Sequence, residues 1–401
     1  MKRFKQIDGV RGWAALSVLF FHLSWETFGG LFPELRIPYL RFFFDGPLAV
    51  YIFFILSGDA LSSGYIASKN ENIIKKLIVK RYFRLLGPIL LSCLIVYFLM
   101  YAGLNFNVDA SRIIHSESWL GSFLPFKESL VGVFLYGTNY VFTSHQISNS
   151  YNPFLWPMGI ELFGSALVFC FLLTYDKFKN PLIASTLISG YLFFLGSLYA
   201  LFFIGISYCI LRSRDCFLKA AQEKYSNILS ASLFIIAILV DCLLSLYGGQ
   251  DRSLLNASNI NGATDSTVQL MISGELSPIA YIHEFIAIYK EEIKTRINII
   301  LAAIVVFAIY SNSFCISAAT SKFSVWLGRI SFPLYVTHFA VIISFTSWSI
   351  IELSNRGLLG LGSAMLVILL SAVIALFVAD IFSRIENLYL NRLNNFVSRR
   401  F

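Results

Sequence analysis

Apolar runs close to the thickness of a bilayer follow one another along this chain, separated by short polar segments. A helix needs about 20 mostly apolar residues to cross the hydrocarbon core. Runs of that kind lie near 10–28, 47–66, 85–103, 154–174, 228–247, 297–316, 325–348 and 360–382. The apolar stretch 181–211 is too long for one span and short for two. It predicts helices over 181–197 and 198–211 that meet in a tight turn near Gly196, where a glycine permits reversal. Weaker apolar patches at 130–142 and Tyr281–Tyr289 predict helices lying along the interface. The expectation is an all-α polytopic membrane protein of about ten transmembrane helices. No internal repeat or heptad breaks the pattern, so residues 1–401 read as one membrane-embedded domain.

Composition sharpens this. The chain is 57% hydrophobic and 13% charged, against about 25% charged in soluble domains. Its net charge of +8 points to topology and not to nucleic acid, because the basic residues gather in alternate loops. With ten spans, 21 of the 31 Lys and Arg fall on one side and nine on the other. The positive-inside rule then puts both termini in the cytoplasm, with Lys2, Arg3 and Lys5 as the first positive flank. The loops 104–153 and 248–296 are the longest on the opposite side, and neither is long enough for a separate catalytic domain. Six cysteines lie mostly inside apolar runs with no CxxC or other metal-ligand spacing. No metal site is expected, and no P-loop, dinucleotide fingerprint or GxSxG appears.

Ionisable residues inside apolar runs are costly, so they mark candidate chemistry. Arg11 and His22 are eleven residues apart, which returns a regular helix to nearly the same face about 16 Å along. A guanidinium near one surface and a deeper imidazole suit a charged ligand reaching inward. Arg81 and Arg84 share a helix face in KRYFRLLGP. A guanidinium fork grips phosphate well, although the same pair also suits a surface anchor. Glu161 follows Trp156 at the start of one run and is placed to orient or charge-stabilise a histidine. Ser331, Tyr335 and His338 recur at i, i+4 and i+7 on one stripe beside Pro333. Asp59, Asp241 and Asp380 are further intramembrane acids, of which Asp380 lies near a membrane end and Asp241 has no evident partner. His115, His145 and His283 lie outside the runs or at their edges.

Taken in order, these segments resemble the acyltransferase-3 family of integral membrane acyltransferases, which O-acetylate bacterial surface polysaccharides. IDGVRGWAALSVLFFH is similar to the family's Arg-x10-His first span, VYIFFILSG to its FF-x-x-SG segment and KRYFRLLGP to R-x-x-R. LWPMGIELF is similar to W-x-x-x-x-E, and LGRISFPLYVTHFAV to the late LG-x-IS segment. Asp59 stands where an aromatic commonly follows the SG pair, and Pro157 where a small polar residue follows the Trp. The resemblance implies acetyl-CoA or another acyl-CoA as cytoplasmic donor, and a carbohydrate acceptor such as O-antigen, exopolysaccharide or a lipid-linked sugar. It implies a bacterial inner-membrane location and, in this chain, no attached SGNH-type domain. On the matching positions Arg11, Arg81 and Arg84 would hold the donor's phosphates. His22 would be the general base, with Glu161 or Tyr335 orienting it or stabilising the oxyanion and His338 as the competing base. An acyl-histidine intermediate and the oligomeric state are left open. The alternative from buried ions alone is a multi-span transporter or exporter of glycan or lipid; a non-catalytic partner of a polysaccharide synthase is weaker.

Overall fold

A computed structural model of the protein describes residues 4–247 and 278–398, and these are all-helical. The first helix, α1 (Lys5–Phe20), widens into a π-helical turn over Phe21–Phe28. Then come α2 (Gly46–Ser68), α3 (Glu71–Tyr101), α4 (Asn107–Ile113), α5 (Leu130–Leu135), α6 (Val141–Thr143) and α7 (Pro157–Leu173). They are followed by α8 (Pro181–Phe194), α9 (Ala200–Ser213), α10 (Cys216–Gln222), α11 (Lys224–Tyr247), α12 (Pro278–Ser311), α13 (Ser313–Ala319), α14 (Lys322–Val341), α15 (Ser347–Asn355) and α16 (Leu361–Ser398).

Seven helical stretches among the described residues are long and apolar enough to cross a membrane: Pro38–Ser68, Glu71–Tyr101, Pro153–Leu173, Lys224–Ser245, Glu292–Ser311, Lys322–Asn355 and Leu361–Val397. Helices α8 and α9 are shorter. At 14 residues each they reach about 21 Å, less than the hydrocarbon core. They pack on each other and turn through Gly196, whose φ of +68° suits glycine. The apolar patch near 130–142 forms a helix interrupted by a π-turn at Tyr136–Tyr140. The backbone near 281–289 is continuous with α12 and not a separate helix. The side chains of that patch, His283, Lys2, Arg3 and the loop 248–277 lie outside the described residues.

Helix α1 is not among the seven apolar stretches, because Asp8, Arg11, His22 and Glu26 dilute it. It is packed inside the bundle, chiefly against α14 and also against α2. Glycines allow the close approach. A Cβ on Gly328 would fall 2.1 Å from the Asp8 carbonyl oxygen, and one on Gly9 1.9 Å from the Ala319 carbonyl oxygen. Trp13 Nε1 also donates to Ser324 Oγ at 3.0 Å. Helix α2 lies against α9 in the same way, with a Gly58 Cβ 2.1 Å from the Phe202 carbonyl oxygen. The SG pair of the second run therefore needs its glycine for packing.

The intramembrane acids are partnered. Asp59 is fully buried, ion-paired with Arg212 of α9, and accepts a hydrogen bond from the Tyr310 hydroxyl of α12 at 2.8 Å. The residue that replaces an aromatic thus ties α2 to two neighbours. Asp380 pairs with Arg329 and Arg384. Asp241 of α11 lies 3.6 Å from Arg41 Nε. Arg41 in turn donates to Asp45 Oδ2 at 2.7 and 3.1 Å, and Asp45 caps α2 by accepting from the Leu48 N–H.

Candidate active site

Two cavities lie between the helices, and their walls meet. The first, of about 730 Å³, is basic at one end. It is lined by Arg11 of α1, Ser57 of α2, Arg81 and Arg84 of α3, Glu161 of α7 and Glu386 of α16. Towards its other end stand Val50, Phe53, Met158, Phe332 and Tyr335. The second, of about 840 Å³, is aromatic. Phe21, His22, Trp25, Phe44, Trp119, Phe154 and Trp156 surround it, with Glu26, Arg41, Asp45 and Lys294 among them.

In the basic cavity the ions form a chain. Arg81 is buried and ion-paired with Glu161, and its Nε donates to Ser165 Oγ at 2.7 Å. Ser57 donates to Glu161 Oε1 at 2.6 Å and accepts from Arg11 Nη2 at 2.9 Å. A buried carboxylate thus has a counter-ion and further donors, as burial demands. Arg84 is exposed and has no ion pair within 4 Å among the described residues. Of the three arginines, Arg84 and Arg11 have donors left for a ligand, while Arg81 is committed to Glu161. Pro157 is the first residue of α7, a position that needs no N–H, and lines this cavity. Ser331 lines it too, while its hydroxyl donates to the Gly328 carbonyl at 2.9 Å.

The aromatic cavity holds His22. The π-turn carries it, and Thr27 Oγ1 donates back to the His22 carbonyl at 2.7 Å. Its ring stacks on Phe154 at 3.8 Å between centroids and 12° between planes. Its Nδ1 lies 2.9 Å from His338 Nε2, and His338 Nδ1 lies 3.0 Å from the Leu334 carbonyl oxygen. A carbonyl only accepts, so His338 Nδ1 carries the proton, and in the neutral ring His338 Nε2 accepts. His22 Nδ1 then donates, which leaves the lone pair of the neutral His22 on Nε2. No hydrogen bond among the described residues occupies that atom. A carbonyl, an orienting imidazole and a basic imidazole thus stand in series.

Tyr335 does not reach His22 by a hydrogen bond; its hydroxyl donates to the Phe154 carbonyl. Asn152 Nδ2 donates to the Val336 carbonyl at 2.9 Å, and Asn152 Oδ1 accepts from Phe154 N–H at 3.2 Å. Helix α14 therefore clamps the 152–156 segment and fixes the ring on which His22 stacks. Glu161 lies in the other cavity, bound to Arg81 and Ser57, with no bond to His22. Arg11 and His22 line different cavities, although one helix carries both. Sequence reasoning did not single out Ser57, Phe154, Trp119, Asn152 or Glu26. Ser57 sits visibly in the SG pair and Glu26 lies four residues beyond His22 on the same π-turn; Phe154, Trp119 and Asn152 are joined to the site by tertiary contact.

The acyltransferase domain family matches residues 4–384. The O-acetyltransferase PaAT-1 of Phomopsis amygdali is 25% identical over 374 residues, covering 83% of this chain and 71% of the relative. No solved structure matches the chain. With a match that spans nearly its whole length, and apolar helices long enough to cross a bilayer, the chain belongs to the acyltransferase-3 family and is an integral membrane acyltransferase.

Proposed function

We propose that the protein moves a short acyl group, acetyl in the first instance, from acyl-CoA to a hydroxyl of a carbohydrate, with His22 as general base. The observation that carries this reading is the series Leu334 carbonyl, His338, His22, which leaves a basic nitrogen at the aromatic cavity beside a basic cavity. The donor enters the basic cavity from the cytoplasm, with ten spans and both termini on that side. Arg84 and Arg11 meet its phosphates. Arg81 acts through Glu161 and Ser57, holding Arg11 in place. The acceptor lies against Trp25, Trp119 and Trp156, apolar faces with polar groups between them, as ligand pockets commonly are.

The step balances simply. His22 Nε2 takes the proton of the acceptor hydroxyl as its oxygen attacks the thioester carbonyl. A new C–O ester bond forms, the C–S bond breaks, and the proton passes from His22 to the departing thiolate. His338 keeps the His22 ring in the productive tautomer.

Labelled acetyl-CoA incubated with membranes from expressing cells tests the assignment, counting label in the glycan fraction at matched expression. His22→Ala should lose transfer by about a hundred- to ten-thousandfold, the usual span of general-base catalysis. His338→Ala should lose less, because it removes orientation and not the base. Full activity in His22→Ala would sink the assignment. A dead His338→Ala beside an active His22→Ala would move the base to His338. Flux of glycan without label transfer would favour a transporter.

A further inference from the structure

The two cavities share only two lining residues, Val50 of α2 and Tyr335 of α14. Any acyl group that leaves a donor in the basic cavity for a hydroxyl in the aromatic one reacts at that wall. The approach to it is laid out along α2. Ser57, Phe54, Phe53 and Val50 all line the basic cavity. Their spacing puts them on one helix face. They run from the Arg11 contact to the wall over about 10 Å.

Neither side of the wall gives easily. The Tyr335 hydroxyl is bonded to the Phe154 carbonyl, and its ring meets Phe53 edge-on at 6.2 Å. Val50 is 5% exposed, and its branched side chain has one strongly preferred rotamer in a helix. A thioester that crosses from the basic cavity towards His22 must carry its acyl carbons past Val50, which lines both cavities.

We propose that Val50, held against a fixed Tyr335, sets the length of acyl group that the protein transfers, admitting two carbons and rejecting longer chains. This rests on the acyl-CoA reading above. Val50 touches the acyl chain and determines specificity; it takes no part in proton transfer. Trimming it to alanine opens room at the wall for further methylenes, and enlarging it by one methylene narrows the room left beyond two carbons.

The test uses membranes with the full-length chain and labelled acetyl-, propionyl- and butyryl-CoA, reading both label in the glycan fraction and free CoA thiol. Wild type should prefer acetyl-CoA. Val50→Ala should raise the ratio of butyryl to acetyl turnover by about tenfold or more, the usual worth of one or two methylenes in a fitted pocket. Val50→Ile, a smaller perturbation in case the alanine variant fails to insert, should lower propionyl relative to acetyl turnover by a similar factor. An unchanged chain-length profile in either active variant overturns the proposal. His22→Ala runs alongside. If it still transfers acetyl, the catalytic reading falls; if it is inactive while Val50→Ala keeps the wild-type profile, only the role of Val50 falls.

Discussion

Replacing Glu161 with glutamine leaves Arg81 buried against Ser165 without its counter-ion, although the amide oxygen can still accept from Ser57. Removing one partner of a buried pair typically costs about 3–5 kcal/mol. Glu161→Gln should therefore lower the melting temperature of the detergent-solubilised protein clearly. Ser165→Ala, which removes the hydroxyl that accepts from the Arg81 guanidinium and leaves the ion pair in place, should cost less, about 1.5–3 kcal/mol. A Glu161→Gln protein that melts with wild type would mean that the pair carries little of the fold. Glu161 was legible in the sequence as an intramembrane acid needing a partner. Which partner it takes was not, because Arg81 lies 80 positions away and only the packing of α3 on α7 joins them. Asp241 is the same case: its partner Arg41 lies in an early loop helix with no sequence periodicity linking the two.

At the scale of elements, apolar length announced the helices well, including the reversal at Gly196. Helix phase was less legible. A uniform turn per residue puts Arg11 and His22 on one face, but the helix changes type at Phe21, and the two side chains enter different cavities. The apolar pattern makes Phe154 the first residue of the run 154–174 and Asn152 loop, and what fixes the 152–156 segment is a set of contacts invisible in sequence. Asn152 and Tyr335 tie it to α14, and the Tyr136 hydroxyl donates to the Asn152 carbonyl at 3.0 Å. Tyr136 also lies 3.0 Å from His145 Nδ1. Burial pushes the His145 imidazole down from 6.5 to about 4. The unfolded chain therefore takes up a proton that the folded one refuses. Stability is full above about pH 6.5 and is lost as pH falls towards 4, by about 3 kcal/mol from this group. Melting at pH 7 and pH 4.5 should show a drop in wild type that shrinks in His145→Gln. Equal drops in both would remove His145 as the cause.

The whole molecule places a basic cavity and an aromatic one back to back, with charge distribution as the guide to their sides. Lys75, Lys76 and Lys80 stand on the early turns of α3, the helix that also bears Arg81 and Arg84, and in the proposed topology this basic end is the one that opens to the cytoplasm. The arrangement predicts two-sided chemistry: donor from one side, acceptor from the other, with His22 between. The most direct measurement uses sealed vesicles of known orientation that contain the protein and its glycan, given labelled acetyl-CoA from outside only. Inside-out vesicles should acetylate glycan held in their lumen, right-side-out vesicles should not until permeabilised, and His22→Ala should be inactive in both. Transfer in sealed right-side-out vesicles, or undiminished transfer by His22→Ala, would contradict this account.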